Sequence, residues 1–89
     1  MCRTPVLLEA TAAALKAPTV TQVEVVGCRD GFARLLARAG ASTEIPGGNQ
    51  VFLRSDQRVW KVVARTSAGV DCGDPNLAAE VRAVCTALA

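Results

Sequence analysis

The chain has 89 residues, 51% of them hydrophobic, and a formal net charge of only +2. This length allows one domain, residues 1–89, and excludes an active-site cleft between domains. The weak positive charge does not by itself indicate nucleic-acid binding, and the hydrophobic content excludes a disordered tail. Because the chain has no histidine, it cannot form a Ser-His-Asp triad, a Cys-His dyad or a His-ligated metal site.

The most informative compositional feature is a set of four cysteines, Cys2, Cys28, Cys72 and Cys85. An even number in so small a domain predicts two disulfides and an oxidising compartment, because a core of this size is only marginally stable alone. Four buried thiols are the alternative. No two cysteines have the short spacing of a zinc-ligand pair or of a thioredoxin-like motif. We therefore expect no metal and no cofactor.

The N-terminal residues show neither a signal-peptide pattern nor a stretch long enough to span a membrane. The apolar run at 6–8 is short, and Glu9 interrupts it. If the domain is exported, we expect Met1 to be an added residue in front of the mature sequence. A second possibility is that Cys2 is the lipid-modified first residue of a bacterial lipoprotein, which would leave three cysteines.

In chain order, the first elements are a helix and a strand. Thr4 and Pro5 suit the N-cap and first position of a helix over 5–16, which a following proline ends. β-branched residues alternate over 20–26 and predict a strand. A cluster of turn-forming residues at 27–31 ends this strand.

Segment 31–39 is compatible with a helix and with a strand. Its apolar residues have helical spacing between Asp30 as a cap and Gly40 as an end, and periodicity alone prefers this helix, yet the residues also alternate. We favour a strand, because strand 20–26 needs a neighbour before the hairpin that follows. The Pro and Gly content of 41–49 predicts a loop.

The hairpin has strands over 50–54 and 58–64 around a turn at Asp56 and Gln57. This register places four apolar residues on one face, with Leu53 opposite Trp60 and Val51 opposite Val62. The turn lacks glycine, so a longer loop with a shifted register is the alternative.

A connector over 66–74 leads to a final helix that begins at Asp74 and Pro75. Its apolar stripe consists of Leu77, Val81, Val84, Cys85 and Leu88. The predicted fold is therefore α+β, with an N-terminal helix, a three-stranded antiparallel sheet, a C-terminal helix and two disulfides.

Several strings have a familiar pattern: VVGCRDGFA at 25–33, VFLR at 51–54, VWKVV at 59–63, DCGD at 71–74 and VRAVC at 81–85. Together they resemble a small disulfide-bonded extracytoplasmic domain of actinobacterial secreted proteins and lipoproteins, largely of unknown function. The resemblance covers most of the chain and implies a strand after the Cys-x-Asp-Gly motif. Its signals are structural, and none is catalytic.

Chain geometry indicates one pairing of the cysteines among the three that counting allows. The first helix would be roughly 18 Å long, and the strand after it can return up to roughly 30 Å. Cys28 would thus come back near Cys2, which leaves Cys72 to pair with Cys85 on the inward face of the last helix.

No residues form a recognisable catalytic set. Without histidine, a general base would be a carboxylate, a lysine or a cysteine, and no two carboxylates pair by spacing. A capped turn explains Asp71 and Asp74 better than a cation site, and Gly47 and Gly48 lack the remainder of a P-loop. We therefore expect that the chain is not an enzyme.

Cations crowd the middle third of the chain: Arg29, Arg34, Arg38, Arg54, Arg58, Lys61 and Arg65. Strand alternation would place Phe52, Arg54 and Lys61 on the sheet face opposite Trp60, and two helices with one apolar stripe each would leave that face open. We predict that these three residues bind a protein or an anionic component of the cell envelope. A merely solvated basic surface is the alternative, and nucleic acid is not expected.

The sequence thus predicts a non-enzymatic exported interaction or sensor module of a cell-envelope protein. The alternative function is a small secreted inhibitor that acts through the exposed loop 41–49. The sequence gives no indication of the oligomeric state.

Overall fold

Two helices and four strands follow one another in the computed structural model, which describes residues 3–15, 20–40, 48–67 and 70–89. The elements are α1 (Thr4–Leu15), β1 (Gln22–Arg29), β2 (Phe32–Arg38), β3 (Gln50–Asp56), β4 (Val59–Thr66) and α2 (Ala79–Leu88). The predicted α+β class with a helix near each end is confirmed. Residue 16 of the predicted first helix and most of the predicted loop 41–49 lie outside the described residues.

The four strands form one antiparallel sheet in the order β1-β2-β3-β4. The prediction of three strands was wrong, because segment 31–39 supplies a full strand that pairs with both β1 and β3. The strand assignment for this segment is confirmed: Ala33, Leu35 and Ala37 are buried, and the residues between them are partly exposed. A hydrogen-bonded neighbour on each side favours the two-residue period over the helical one.

Each hairpin turns through two residues with positive φ. Asp30 (52°) and Gly31 (81°) connect β1 to β2, and Gln57 (51°) and Arg58 (68°) connect β3 to β4. Positive φ at both central residues is the type I′ geometry, whose twist matches that of the flanking strands. The turn predicted at Asp56 and Gln57 was therefore placed one residue too early.

The pairing of β3 with β4 also differs from the prediction. Leu53 pairs with Val62 rather than with Trp60, and Val51 pairs with Arg65 rather than with Val62. Because the turn lies one residue later than predicted, the partner of Leu53 shifts by two residues. A shift by an even number leaves each side chain on its predicted face of the sheet. The predicted shared face is confirmed, since all four predicted apolar residues belong to one cluster.

α1 packs on one face of the sheet. Its buried residues, Leu7, Thr11 and Leu15, recur once per turn on one side of the helix. They meet apolar side chains from all four strands: Val23, Ala33, Leu35, Ala37, Val51, Leu53 and Trp60. This cluster is the larger of the two cores.

α2 covers the opposite face of the sheet. Val81, Val84 and Cys85 of this helix form a second cluster with Phe52 of β3. Because strand side chains alternate, Phe52 points toward α2, whereas its neighbours Val51 and Leu53 point toward α1. The expectation that both helices cover the same face of the sheet was wrong, because the apolar stripe of each helix packs on a different face.

α2 begins at Ala79 rather than at Asp74 and Pro75 as predicted. The Asp71 carboxylate accepts a hydrogen bond from the Gly73 N–H, and the Asp74 carboxylate accepts one from the Asn76 N–H, both at 2.9 Å. These are two successive Asx turns, and they hold the backbone of the connector in a non-helical conformation.

The disulfide between Cys72 and Cys85 joins this connector to α2, with the two Cα atoms 5.6 Å apart. This predicted pair is confirmed. Cys28 is also disulfide-bonded, and its predicted partner, Cys2, lies outside the described residues.

Candidate functional site

The binding surface predicted around Phe52 differs from its expected form. Phe52 is completely buried beneath α2, so the prediction that its ring is exposed was wrong. Arg54 and Lys61 are exposed and are cross-strand partners. The Lys61 Nζ lies 3.4 Å from Asp56 Oδ2. A binding role for Arg54 and Lys61 stays a prediction, without an exposed aromatic ring between them.

The loop predicted to act in an inhibitor falls mostly outside the described residues. Its last two residues, Gly48 and Asn49, are described, and the Asn49 carbonyl accepts a hydrogen bond from the Ala37 N–H at 2.8 Å. This bond places the start of β3 beside the end of β2.

A cavity of about 480 Å³ opens between the C-terminal end of α2, the turn end of β1 and the Cys72–Cys85 disulfide. We call it the disulfide cleft. Its described lining residues are Val26, Gly27, Cys28, Arg29, Arg34, Cys72, Cys85, Leu88 and Ala89. Segments far apart in sequence thus meet at one end of the α2 layer.

Apolar groups form one wall of the disulfide cleft. A β-carbon on Gly27 would lie only 3.2 Å from Leu88 Cδ1, so glycine at this position lets α2 approach β1 closely. The pairing of β1 with β2 skips Val26, which forms a bulge and has a side chain that is 56% exposed. A bulge redirects a side chain from the regular strand alternation, and here Val26 lines the cleft.

Arg34 of β2 is held in place by two contacts. Its guanidinium carbon lies 5.4 Å from the centroid of the Phe52 ring, and its Nη2 donates a hydrogen bond to Gln50 Oε1 at 2.8 Å. The Nε of Arg34 is buried and has no hydrogen-bond partner among the described residues. A buried donor without an acceptor is costly, and the arginine that carries this donor also lines the cleft.

Arg29 lies at the rim of the cleft. Its Nη1 donates to the Ala89 carbonyl oxygen at 3.2 Å, and its Nε is 3.9 Å from Asp30 Oδ2. The Arg29 side chain is 63% exposed. Such an exposed ion pair is weak, so the guanidinium can turn toward a ligand at little cost.

The charged side chains among the described lining residues of the disulfide cleft are both arginines. Arg29 and Arg34 border it, and none of its described lining residues is acidic. A guanidinium presents several fixed donors that match the geometry of carboxylate and phosphate groups. The combination of an apolar wall with two arginines suits a ligand that has an apolar body and an anionic group.

Neither a metal-binding cluster nor a membrane-spanning helix occurs in the described part of the chain. No group of three or more His, Cys, Asp or Glu side chains is placed to hold a metal ion there. None of the described helices is long and apolar enough to cross a membrane.

Arg29 and Arg34 were predicted only as two of many cations, and no pattern in the sequence placed them beside Cys72 and Cys85. One local signal could have located part of the cleft, because Asp-Gly is a strong signal for a two-residue hairpin turn. A turn at Asp30 and Gly31 would have placed Gly27 near Arg34, with which it pairs. The contribution of α2 had no comparable local signal.

No model of a protein family, no curated protein and no solved structure matches the chain. The resemblance to an extracytoplasmic actinobacterial domain therefore stays a prediction.

Proposed function

We propose that the chain is a non-enzymatic, exported binding module of a cell-envelope protein, and that its disulfide cleft binds the anionic group of a partially apolar ligand. Such a ligand could belong to a partner protein or to an anionic component of the envelope. The observation that carries the proposal is the buried Nε of Arg34, a donor that has no acceptor among the described residues and belongs to a side chain lining a cavity of about 480 Å³.

The position of Arg34 supports binding rather than a purely structural role. The Phe52 ring and the Gln50 amide already fix its guanidinium, so a ligand would not have to order this side chain. Preorganised groups give affinity because less conformational entropy is lost on binding. The cavity volume lies within the range of about 300–1,000 Å³ that is common for small-ligand sites.

The disulfides support export. Stable disulfides form in oxidising compartments and are rare where thiols are kept reduced. Cys72, Cys85 and Cys28 are all disulfide-bonded, so no described cysteine is a free thiol. The family resemblance points to the same extracytoplasmic location.

Three small probes separate the two parts of the proposed ligand: octanoate, acetate and 1-octanol. Octanoate has both an anionic group and an apolar chain, whereas each of the others has one of them. We expect octanoate to shift the NMR signals of the Arg34 Nε–H and of the Gly27 and Leu88 amides. Acetate and 1-octanol should shift them at least about tenfold less at equal concentration, because each lacks one set of contacts.

Two variants identify the residue that is responsible. Arg34→Gln should abolish the effect of octanoate, and Arg34→Lys should weaken it, because lysine keeps the charge but loses the planar fork. Arg54→Gln is the matched control, since it removes an exposed arginine from the neighbouring strand. Equal shifts with octanoate and 1-octanol would contradict the proposal. Shifts confined to Arg54 and Lys61 would instead support the surface predicted from sequence.

A further inference from the structure

A second concave surface lies on the other side of the sheet, between α1 and the turn end of β4. Two adjoining cavities of about 340 and 370 Å³ share Val6, Arg58 and Trp60 as lining residues. Because they share these residues, the two cavities form one continuous groove, which we call the α1–β4 groove. It is separate from the disulfide cleft, which lies in the α2 layer.

The helical side of the groove is an exposed apolar stripe. Val6, Ala10 and Ala13 of α1 line it, and their spacing of four and three residues places them on one side of the helix. This stripe runs beside the buried residues Leu7, Thr11 and Leu15. Its small side chains allow another chain to approach the helix closely.

Exposed valines concentrate at this groove. Among the described residues, three large hydrophobic side chains are exposed, and two of them, Val6 (44%) and Val59 (57%), belong to its lining. A single exposed valine is unremarkable, but two valines and two alanines beside one concave surface form a contiguous apolar patch. The buried ring of Trp60 also lines the groove.

Two cations lie beside the apolar patch. Arg3 and Arg58 line the groove together, and neither side chain makes a hydrogen bond or an ion pair with another described residue. Glu9 lines the part of the groove that extends toward Ala13. Among the described residues, the charged side chains of the groove are therefore two guanidinium groups and one carboxylate, and Arg58 lines both of its parts.

The backbone fixes the position of Arg58. Both residues of its turn, Gln57 and Arg58, have positive φ although neither is glycine or asparagine. This conformation costs roughly 1–2 kcal/mol for each such residue. Strained backbone of this kind is often retained where a side chain must be held for function.

We propose that the α1–β4 groove is a docking surface for an acidic, amphipathic segment of another protein. Apolar side chains of that segment would cover Val6, Ala10 and Val59, and its carboxylates would pair with Arg3 and Arg58. A lipid surface fits less well, because the groove is concave and only two free cations line it among the described residues. A uniformly anionic polymer fits less well, because Glu9 would repel it. This surface is additional to the proposed ligand cleft, and either could exist without the other.

The test uses a short helical peptide of Leu, Ala and Glu, and the same peptide with Gln in place of every Glu. We expect the Glu peptide to shift the amide signals of Val6, Arg58 and Val59 and to change Trp60 fluorescence. The Gln peptide should bind about tenfold more weakly, because it loses the charge-assisted contacts. The affinity for the Glu peptide should fall as salt is added.

Variants of the protein localise the contact. Arg58→Glu and Val6→Ser should each weaken binding of the Glu peptide at least about tenfold. Thermal unfolding shows whether these variants are folded, and Val6 is exposed enough for serine to be tolerated. Lys61→Glu is the matched control, because it makes the same charge change on β4 but on the α2 face of the sheet.

Three results would overturn the proposal: equal binding of both peptides, binding that Arg58→Glu leaves unchanged, or no shift at the groove with either peptide. Concentration-dependent shifts of the same residues in the protein alone would also overturn it, because the occupant would then be a second copy of this chain. Loss of octanoate binding in Arg34→Gln with peptide binding intact would show that the two surfaces are independent.

Discussion

The guanidinium carbon of Arg34 lies 5.4 Å from the centroid of the Phe52 ring, on the sheet face that α2 covers. A cation over an aromatic face is attracted by the ring quadrupole, and the attraction strengthens as water is excluded. Phe52 is completely buried, so its ring has two roles. It supports α2 from below and fixes the arginine that borders the disulfide cleft.

Phe52→Ala should therefore destabilise the protein strongly. Removing a fully buried phenylalanine ring typically costs about 3–5 kcal/mol, because a cavity is left beneath the helix. The free energy of unfolding in urea measures this change. Lys61→Glu is the control and should alter stability by less than about 0.5 kcal/mol, because its side chain is exposed. A Phe52→Ala protein as stable as the native one would mean that α2 does not cover this face.

Trp60→Ala should destabilise the other core to a similar extent. Trp60 is 7% exposed and packs with Leu53 and Val62, as predicted from the sequence. We expect a loss of about 3–5 kcal/mol, measured in the same urea unfolding experiment. Val59→Ala is the matched control, because its side chain is 57% exposed on the same strand. A native fluorescence maximum typical of tryptophan in water would contradict the burial of Trp60.

The sequence predicted the elements well because they depend on local patterns. Alternation and turn-forming residues located three of the four strands, whereas segment 31–39 was assigned as a strand because strand 20–26 needed a neighbour, and it was not included in the count. The face of the sheet that α2 covers has no such local pattern. It depends on which row of sheet side chains meets the apolar stripe of the helix. One signal was overlooked: Val51, Phe52 and Leu53 are three consecutive apolar residues, and all are buried. Such a run is typical of a strand that is covered on both faces.

The disulfide cleft could not be predicted in the same way. Arg34, Cys72 and Leu88 line it together, yet long segments of sequence separate them. Their proximity depends on the side of the sheet that α2 occupies and on the residue at which the helix begins. The predicted side was wrong because the stripe of α2 packs on Phe52. The predicted start was wrong because the Asx turns at Asp71 and Asp74 delay the helix.

The hairpin turn at Gln57 and Arg58 offers a stabilising substitution. Arg58 has a φ of 68°, which glycine adopts without steric cost. Arg58→Gly should therefore stabilise the protein by about 0.5–1 kcal/mol, seen as a higher midpoint of urea unfolding. Arg54→Gly is the matched control, because glycine within a strand should be destabilising by a similar amount. A loss of stability in Arg58→Gly would show that the arginine side chain contributes more than the turn strain costs.

The disulfide between Cys72 and Cys85 should contribute substantially to stability. It closes a loop with a sequence separation of 13. A cross-link over a loop of about this length lowers the entropy of the unfolded chain and so stabilises the fold by about 3 kcal/mol. The double variant Cys72→Ala, Cys85→Ala should show this loss in urea unfolding. Unchanged stability would mean that the bond restricts little in the unfolded chain.

Thiol titration of the protein, unfolded without reductant, counts the cysteines that are not in disulfides. We expect almost no free thiol, because Cys28 is disulfide-bonded in addition to the Cys72–Cys85 pair. Digestion and mass analysis of the unreduced chain would then identify the partner of Cys28, which we predict to be Cys2. Four free thiols would remove the argument for an oxidising compartment.

Gly48 lies where two backbone segments approach each other closely. It is buried and has a φ of 109°, and a β-carbon at this position would overlap the backbone of Thr66 and Ser67. Gly48→Ala should therefore cost at least about 3 kcal/mol, because overpacking adds to the conformational strain. Gly40→Ala separates these two contributions, since Gly40 also has a positive φ, 64°, but has open space around it. That control should lose only about 1–2 kcal/mol, and equal losses in both variants would show that Gly48 is needed for its backbone conformation alone and not for the contact with β4.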